Sequence, residues 1–101
     1  MEIEIVQYAQ GDTAVSYDEG KKCYAEIKKC LNKNERIILN FKDVNYVITA
    51  FLNPIIGDLI MENDENIMNR IEIENANNDI LNKIKIVKDG ALLKRNDLDE
   101  E

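Results

Sequence analysis

The feature that most constrains the fold is an alternation of strand-like and helix-like segments along the chain. Residues 2–8, EIEIVQY, and residues 70–75, RIEIEN, alternate apolar and polar side chains, which is typical of half-buried strands. Residues 36–41, RIILNF, place three aliphatic side chains in succession, as in a strand covered in the interior of a sheet. We therefore expect Ile38 and Leu39 to lie in the central strand of a sheet.

Helix-like segments separate these strands. The first begins at Ser16, where SYDE matches a capping box. It runs to about Asn32, and four of its apolar residues recur at helical spacing: Cys23, Ile27, Cys30 and Leu31. A short additional strand is predicted before this helix, over Thr13 to Val15.

The second helix follows the stretch NYVITAFLNPIIG, residues 45–57, which opens as a strand and closes as a helix. If Thr49 is the N-cap, Pro54 lies in the second turn and removes the hydrogen bond to the Ala50 carbonyl. If Asn53 is the N-cap, Pro54 takes the first helical position, which proline favours. We interpret Asn53 as a cap residue, and both helix starts remain compatible with the sequence.

The segment KIKIVKDGALLKR, residues 83–95, also allows two interpretations. The Asp-Gly pair at 89–90, flanked by alternating residues, is a strong hairpin signal. Ile80, Leu81 and Ile84 already follow a helical period, on one face with Val87, before the alternation begins, so we favour a helix. The acidic end, NDLDEE, is predicted to be a frayed tail over residues 96–101, which leaves one domain over residues 1–95.

The formal charge of −7 and the pI of about 4.6 argue against general nucleic-acid binding, which needs clustered Lys and Arg. A basic or neutral protein partner fits this charge, as does a role in solubility alone. The first ten residues alternate instead of forming an apolar signal peptide. No apolar run approaches the roughly 20 residues of a membrane span, so we expect a cytoplasmic protein that does not bind membranes.

Cysteine usage and the missing histidine limit the chemistry. Cys23 and Cys30 are seven residues apart on one predicted helix, or about 10 Å, whereas a disulfide needs Cα atoms within roughly 7 Å. We expect both thiols to be reduced and buried. The chain has no His, no glycine-rich phosphate loop and no nucleophile beside a base. We therefore expect no enzyme activity, no metal and no cofactor.

From YDEGKKCYAEIKKCL through RIILNFKDVNYVITAFLNPIIGDLI to IEIENANNDIL, the chain resembles a STAS domain, the fold of anti-sigma-factor antagonists. It is more closely similar to the STAS-like bacterial domains of unassigned function. The most specific part is an aliphatic strand ending in Asn-Phe, followed by Asp-Val, an aromatic residue, and a small hydroxyl residue before Phe-Leu-Asn. The resemblance implies a STAS-like α/β fold with about four strands in a mixed sheet and about three helices packed against it.

The resemblance also implies a candidate phosphoacceptor. In the antagonists, the loop before the second helix carries a serine or threonine that a partner kinase phosphorylates, and this position falls on Thr49. A phosphate there would meet the N–H groups at a helix start and would add a charge of about −1.5 to −2. The antagonists usually have Asp just before the acceptor and Gly shortly after it, where this chain has Ile48 and Phe51. The alternative is that Thr49 is an ordinary cap or turn residue.

The candidate partner-binding residues are Thr49, Ala50, Asn53, Asp58 and Glu62. Asp58 and Glu62, one turn apart, also fit a solvated helix face. We expect a regulatory protein-binding module, and the resemblance implies an anti-sigma-like kinase or ATPase domain as its partner. The alternative is an acidic inhibitor of mobile-element origin that masks a basic nucleic-acid-binding surface of a partner. A small-ligand-binding domain is a third hypothesis, for which the sequence offers no phosphate loop.

Overall fold

The structure, a computed structural model, describes residues 1–33, 35–64 and 66–99. Its strands are β1 (Glu2–Glu4), β2 (Thr13–Ala14), β3 (Ile37–Asn40), β4 (Tyr46–Val47) and β5 (Ile71–Glu74). Its α-helices are α1 (Tyr17–Asn32), α2 (Thr49–Leu52), α3 (Asp58–Glu62) and α4 (Asn78–Asp99). Short 3₁₀ turns cover Ile5–Tyr8 and Ile67–Arg70, and a π-helical stretch, Asn53–Gly57, joins α2 to α3. We call the continuous helix over residues 49–62 the middle helix.

The strands of the described residues divide between two sheets. In the first, β3 lies between β1 and β5, and in the second, β2 pairs with β4; all three strand pairings are parallel. The predicted α/β class is confirmed, with helices packed on a sheet. The prediction of one four-stranded sheet is wrong, because the chain turns after β3 through Asp43, whose φ is +66°, and returns as β4 beside β2.

The first strand is shorter than predicted. The sequence indicated a strand over residues 2–8, but β1 ends at Glu4 and a 3₁₀ turn follows. In a strand, Val6 and Tyr8 would point to the opposite face from Ile5. The turn instead brings all three side chains to the core, with Ile5 fully buried and the other two packed against the cluster.

The first helix follows its prediction closely. The Ser16 side chain accepts a hydrogen bond from the Glu19 backbone N–H at 3.2 Å, and α1 ends at Asn32. Cys23 and Cys30 are free thiols and both are buried. Burial raises the pKa of Cys23 to about 12, with a further contribution from the Glu26 carboxylate. The helix therefore contributes a core face that carries two buried thiols, and the raised pKa keeps Cys23 protonated at neutral pH.

The two faces of the three-stranded sheet differ in burial. Ile38 and Leu39 both lie in the central strand, as predicted. Leu39 is fully buried in the helix-covered core together with Ile3 and Ile37. Ile38 points to the opposite face, where it is half-buried and does not belong to the core cluster. Helices therefore cover one face of this sheet.

The interpretation of residues 83–95 as a helix is confirmed, since α4 runs without a break to Asp99. Its buried face consists of Ile80, Ile84, Val87 and Ala91, whereas Leu81, expected on the same face, is 44% exposed. The predicted acidic tail over 96–101 remains a prediction, because residues 100 and 101 lie outside the described residues. Among the described helices, α4 included, none has the length and apolar character that a membrane span requires.

Candidate functional site

The middle helix begins at Thr49 because Ile48 is still extended, at φ −111° and ψ 159°. The Ile48 N–H donates to Ala14 O in β2, and its carbonyl accepts from the N–H groups of Phe51 and Leu52. Thr49 is thus the first helical residue, with its side chain exposed, and the N-cap is Ile48. Both predicted caps, Thr49 and Asn53, are therefore wrong. Asn53 has helical dihedral angles, and its N–H donates to Thr49 O.

Pro54 lies inside the middle helix, in its second turn. Proline has no N–H to donate to a carbonyl four residues back, and its ring crowds that carbonyl. The helix accommodates this by widening into the π-helical stretch, where the Asp58 N–H donates to the Asn53 carbonyl five residues back. The sequence-based alternative with Pro54 at the first helical position is therefore wrong. Single π turns of this kind are frequent at functional sites.

On one side, the middle helix packs tightly against α1. A Cβ atom at Gly20 would overlap the Phe51 carbonyl oxygen and would lie 2.8 Å from Cγ of Pro54. Only glycine allows the two helix backbones to approach this closely. Phe51, Leu52 and Ile55 are fully buried. The contact with α1 fixes the position of the widened turn.

On the other side, the middle helix and α4 leave an open groove with a volume of about 530 Å³. The middle helix contributes five lining residues: Thr49, Asn53, Gly57, Asp58 and Met61. Helix α4 contributes the other five: Ile86, Val87, Gly90, Ala91 and Lys94. The groove is thus a mixed surface, with apolar walls, two opposite charges and the exposed Thr49 hydroxyl.

Contacts with backbone carbonyls hold α4 on both sides of this groove. Near the start of α4, Lys83 Nζ donates to Val47 O at 2.8 Å and lies 4.1 Å from the centre of the Tyr46 ring. Farther along, Arg95 donates to Ile60 O at 3.4 Å. These residues are twelve positions apart, or about 18 Å along the helix. The groove therefore lies between two contacts that hold α4 against the rest of the protein.

The carboxylates of the middle helix lie beside α1. Burial raises the pKa of Tyr24 to about 12, Glu62 and Asp58 add to the rise, and the Tyr24 hydroxyl donates to Asp58 O at 3.4 Å. Burial and the Glu62 carboxylate raise the pKa of Asp58, against the opposing effect of Lys21 and Lys28. Glu62 is exposed and pairs with Lys28 at 3.5 Å. The two carboxylates therefore form an exposed, acidic helix face.

The structure brings three of the five predicted partner-binding residues into the groove, namely Thr49, Asn53 and Asp58. Ala50 is half-buried, and Glu62 pairs with α1; neither of them lines the groove. Asp58 is the one residue that contacts both the groove and the acidic face. The predicted surface is therefore divided between two sides of the middle helix.

Sequence reasoning missed the contribution of α4. Ile86 is 64% exposed and falls outside the buried helical period that contains Ile84 and Val87. This aliphatic residue outside the buried helical period was the feature of the sequence that could have indicated a second wall of the site on α4. Gly90, part of the Asp-Gly pair that suggested a hairpin, lies in the groove. A Cβ atom there would meet no described heavy atom within 4 Å apart from its chain neighbours and the adjacent backbone of α4. The sequence pattern does not show which residues of the middle helix lie opposite α4, because that depends on tertiary packing.

In the described part of the chain, no three side chains of His, Cys, Asp or Glu come together as a group that could hold a metal ion. A family model described as a STAS-like domain of unknown function (DUF4325) matches residues 19–81. The match spans more than half of the chain, from α1 through the whole middle helix to the start of α4. No curated protein and no solved structure matches the chain.

Proposed function

Because the chain belongs to the family of STAS-like domains of unknown function, we propose that it is a small, non-enzymatic regulatory module that binds a protein partner. The partner docks in the groove between the middle helix and α4. The observation that carries this proposal is the convergence of Thr49, Asn53 and Asp58 with the exposed Ile86 in one open groove. An apolar centre with a few polar groups around it is the usual composition of a protein-binding surface.

The absence of histidine from the sequence supports a binding role over a catalytic one. Histidine is the side chain that most often transfers protons at neutral pH. The carboxylates of Asp58 and Glu62 are both exposed to solvent. The resemblance to anti-sigma-factor antagonists adds the partner class, an anti-sigma-like kinase or ATPase domain.

Thr49 is the proposed phosphoacceptor at the rim of the groove. Its side chain is exposed, which a kinase requires, and a phosphate there would add a charge of about −1.5 to −2 to the docking surface. Because Ile48 is the N-cap and makes no side-chain cap bond, Thr49→Ala removes no cap. We expect this variant to change stability by no more than about 0.5 kcal/mol while abolishing phosphate incorporation.

Mass spectrometry of protein isolated from its own host under several growth conditions tests the phosphoacceptor directly. A Thr49 phosphopeptide that appears under some conditions supports the switch. Its persistent absence, with partner binding intact, would reject the switch and leave an unswitched adaptor. The docking proposal stands apart from this result, because it depends on the groove and not on the phosphate.

The docking proposal is tested with two variants at one position. A side chain at Gly90 enters open space, so Gly90→Phe fills the groove and Gly90→Ala leaves it open. We expect wild type and Gly90→Ala to recover the same specific protein from host extract in moderate salt. Gly90→Phe should lose that protein while its unfolding midpoint is no lower than that of the wild type, because phenylalanine is a better helix former than glycine.

The salt dependence separates the two functional hypotheses. Docking on an apolar centre survives moderate salt, whereas masking of a basic surface by overall charge weakens steeply as salt rises.

Recovery of one protein by all three forms, wild type and both Gly90 variants, would contradict docking in the groove.

A further inference from the structure

The second face of the three-stranded sheet carries a distinct surface. Alternation along the strands places six side chains there: Glu2, Glu4, Ile38, Asn40, Glu72 and Glu74. The register aligns Glu2, Ile38 and Glu72 in one row, and Glu4, Asn40 and Glu74 in the next. With strands about 4.8 Å apart and residues about 3.3 Å apart along each, the four glutamates occupy the corners of a rectangle of about 10 by 7 Å.

This face lacks the cover that such a sheet usually has. Parallel sheets are found almost exclusively with both faces packed against other elements. Here the helices cover the face of Leu39, whereas Ile38 on the other face stays outside the core cluster. Glu2, Glu4 and Glu72 are exposed to solvent. Ile38, Asn40 and Glu74 are half-buried, and the segments after β1 and β3 border the face at Glu4 and Asn40. Ile38 forms its apolar centre between two glutamates.

The negative charge of this face favours a positively charged partner. A second copy of the chain would oppose four carboxylates with four more, and a nucleic acid would oppose them with phosphates, so both arrangements repel. Lys and Arg side chains complement the face. Arg36 already shows the pairing at its edge, since its guanidinium Nε lies 3.8 Å from a Glu72 carboxylate oxygen.

We propose that the bare sheet face is a docking surface for a basic segment of a partner protein. Lys or Arg side chains of this segment pair with the four glutamates, and an apolar side chain between them covers Ile38. The surface lies on the sheet side, away from the groove, and its occupancy does not depend on the function proposed for the groove. It also gives the acidic-inhibitor hypothesis a specific contact surface.

The probe for this surface is a short labelled peptide in which arginine alternates with valine. Its binding to the full chain is measured by fluorescence anisotropy at low ionic strength and again at about 1 M salt, where the Debye length falls to about 3 Å. A peptide of the same length that alternates glutamate with valine serves as the charge control. We expect the arginine peptide to bind at low ionic strength and to dissociate in high salt, and the glutamate peptide not to bind.

Two variants with the same change in net charge locate the contact. The face variant combines Glu2→Gln, Glu4→Gln, Glu72→Gln and Glu74→Gln. The control variant changes four exposed acidic residues elsewhere: Asp18→Asn, Glu35→Gln, Asp64→Asn and Asp89→Asn. We expect the face variant to bind the arginine peptide about tenfold more weakly, as the loss of four exposed ion pairs implies, and the control by less than about twofold.

The proposal also predicts that the backbone amide resonance of Ile38 shifts when the arginine peptide binds to the wild-type chain. Equal weakening in both variants would overturn the proposal, because it would assign the binding to overall charge. Failure of the wild-type chain to bind the arginine peptide at low ionic strength would overturn it as well. A wild-type dimer that the face variant dissociates would assign the face to a second copy, and that result would also contradict the proposal.

Discussion

The two sides of the middle helix are packed very differently. Toward α1, the backbone of Gly20 approaches the Phe51 carbonyl and the Pro54 ring so closely that a single added methyl group would overlap them. Toward α4, Gly90 faces a groove in which an added Cβ would meet no described heavy atom within 4 Å apart from its chain neighbours and the adjacent backbone of α4. The same helix therefore has a close backbone contact on one side and, beside its packing against α4, an open groove on the other. The tight side determines the fold, and the open side is where we place the function.

Pro54 links the two sides. Its ring packs against Gly20, and its missing N–H accompanies the widening of the helix over Asn53–Gly57. The widened turn contributes Asn53 and Gly57 to the groove on the opposite side. A change on the tight side should therefore alter the groove, whereas a change in the groove should leave the tight side intact.

The largest effect on stability is expected for Phe51→Ala, which removes the phenyl ring from the tightly packed side of the middle helix. Phe51 is fully buried, so its truncation should lower the free energy of unfolding by about 3–5 kcal/mol. Urea denaturation measures this loss. Leu93→Ala is the control, because Leu93 is 66% exposed and should change stability by no more than about 0.5 kcal/mol. Similar losses in both variants would show that Phe51 is not the core residue described here.

Gly20→Ala tests the close approach itself. The added Cβ would overlap the Phe51 carbonyl oxygen, a backbone atom that cannot rotate away, so the helices must separate. We expect a loss of about 1–3 kcal/mol, which is typical of overpacking. Thermal and urea unfolding of the variant give this value. A neutral or stabilising result would mean that α1 and the middle helix are farther apart than the structure shows.

Gly90→Ala is the matched substitution on the open side, with the opposite expected sign. The new methyl group enters open space, and alanine favours the helix over glycine by about 0.5–1 kcal/mol. The melting temperature should therefore rise. A destabilised variant would indicate that the groove is closed and would remove the contrast between the two sides.

The smallest effect is expected for the pH dependence of stability that Asp58 causes. This residue borders both the groove and the side of the middle helix that faces α1. Its pKa is raised on folding above the ordinary 3.8, by burial and then by Glu62. Between these two pKa values the folded state binds more protons than the unfolded state, so the contribution of Asp58 to stability falls as pH rises through this window.

Asp58→Asn should remove this dependence and should stabilise the protein above the window. The gain should stay below about 0.5 kcal/mol, because Asp58 is exposed and solvent screens its interactions. Urea titrations of both forms across the window measure the difference. A wild-type stability that rises with pH more steeply than that of the variant would contradict the direction of the pKa shift.

Local signals were sufficient to predict much of the fold. Ser16 predicted the start of α1, because a capping hydrogen bond involves residues only three positions apart. The aliphatic run around Leu39 predicted the central strand, and a helical period that begins at Ile80 predicted α4. The STAS-like resemblance agreed with the family model that matches residues 19–81. The first three signals are each contained in a short stretch of sequence, whereas the resemblance extends over most of the chain.

The features that failed depend on distant contacts. The sequence left two helix starts open, with Thr49 as the N-cap and Pro54 in the second turn, or with Asn53 as the N-cap and Pro54 at the first helical position. The structure instead keeps Pro54 inside a widened turn that packs on Gly20, thirty-four residues earlier. The predicted partner-binding residues all came from the middle helix, because the second wall of the groove comes from Ile86 and Gly90, whose position depends on how α4 packs. Pairing of β4 with β2 is a tertiary outcome of the same kind.

Site-specific photo-crosslinking in the native host tests docking in the groove most directly. A benzoylphenylalanine replaces Ile86, which is 64% exposed at the groove, or Lys29, whose side chain is 70% exposed on α1. The account predicts a specific protein adduct at position 86 that disappears when Gly90→Phe fills the groove, and no such adduct at position 29. An adduct at position 29 without one at position 86, or an adduct at 86 that persists in Gly90→Phe, would contradict it.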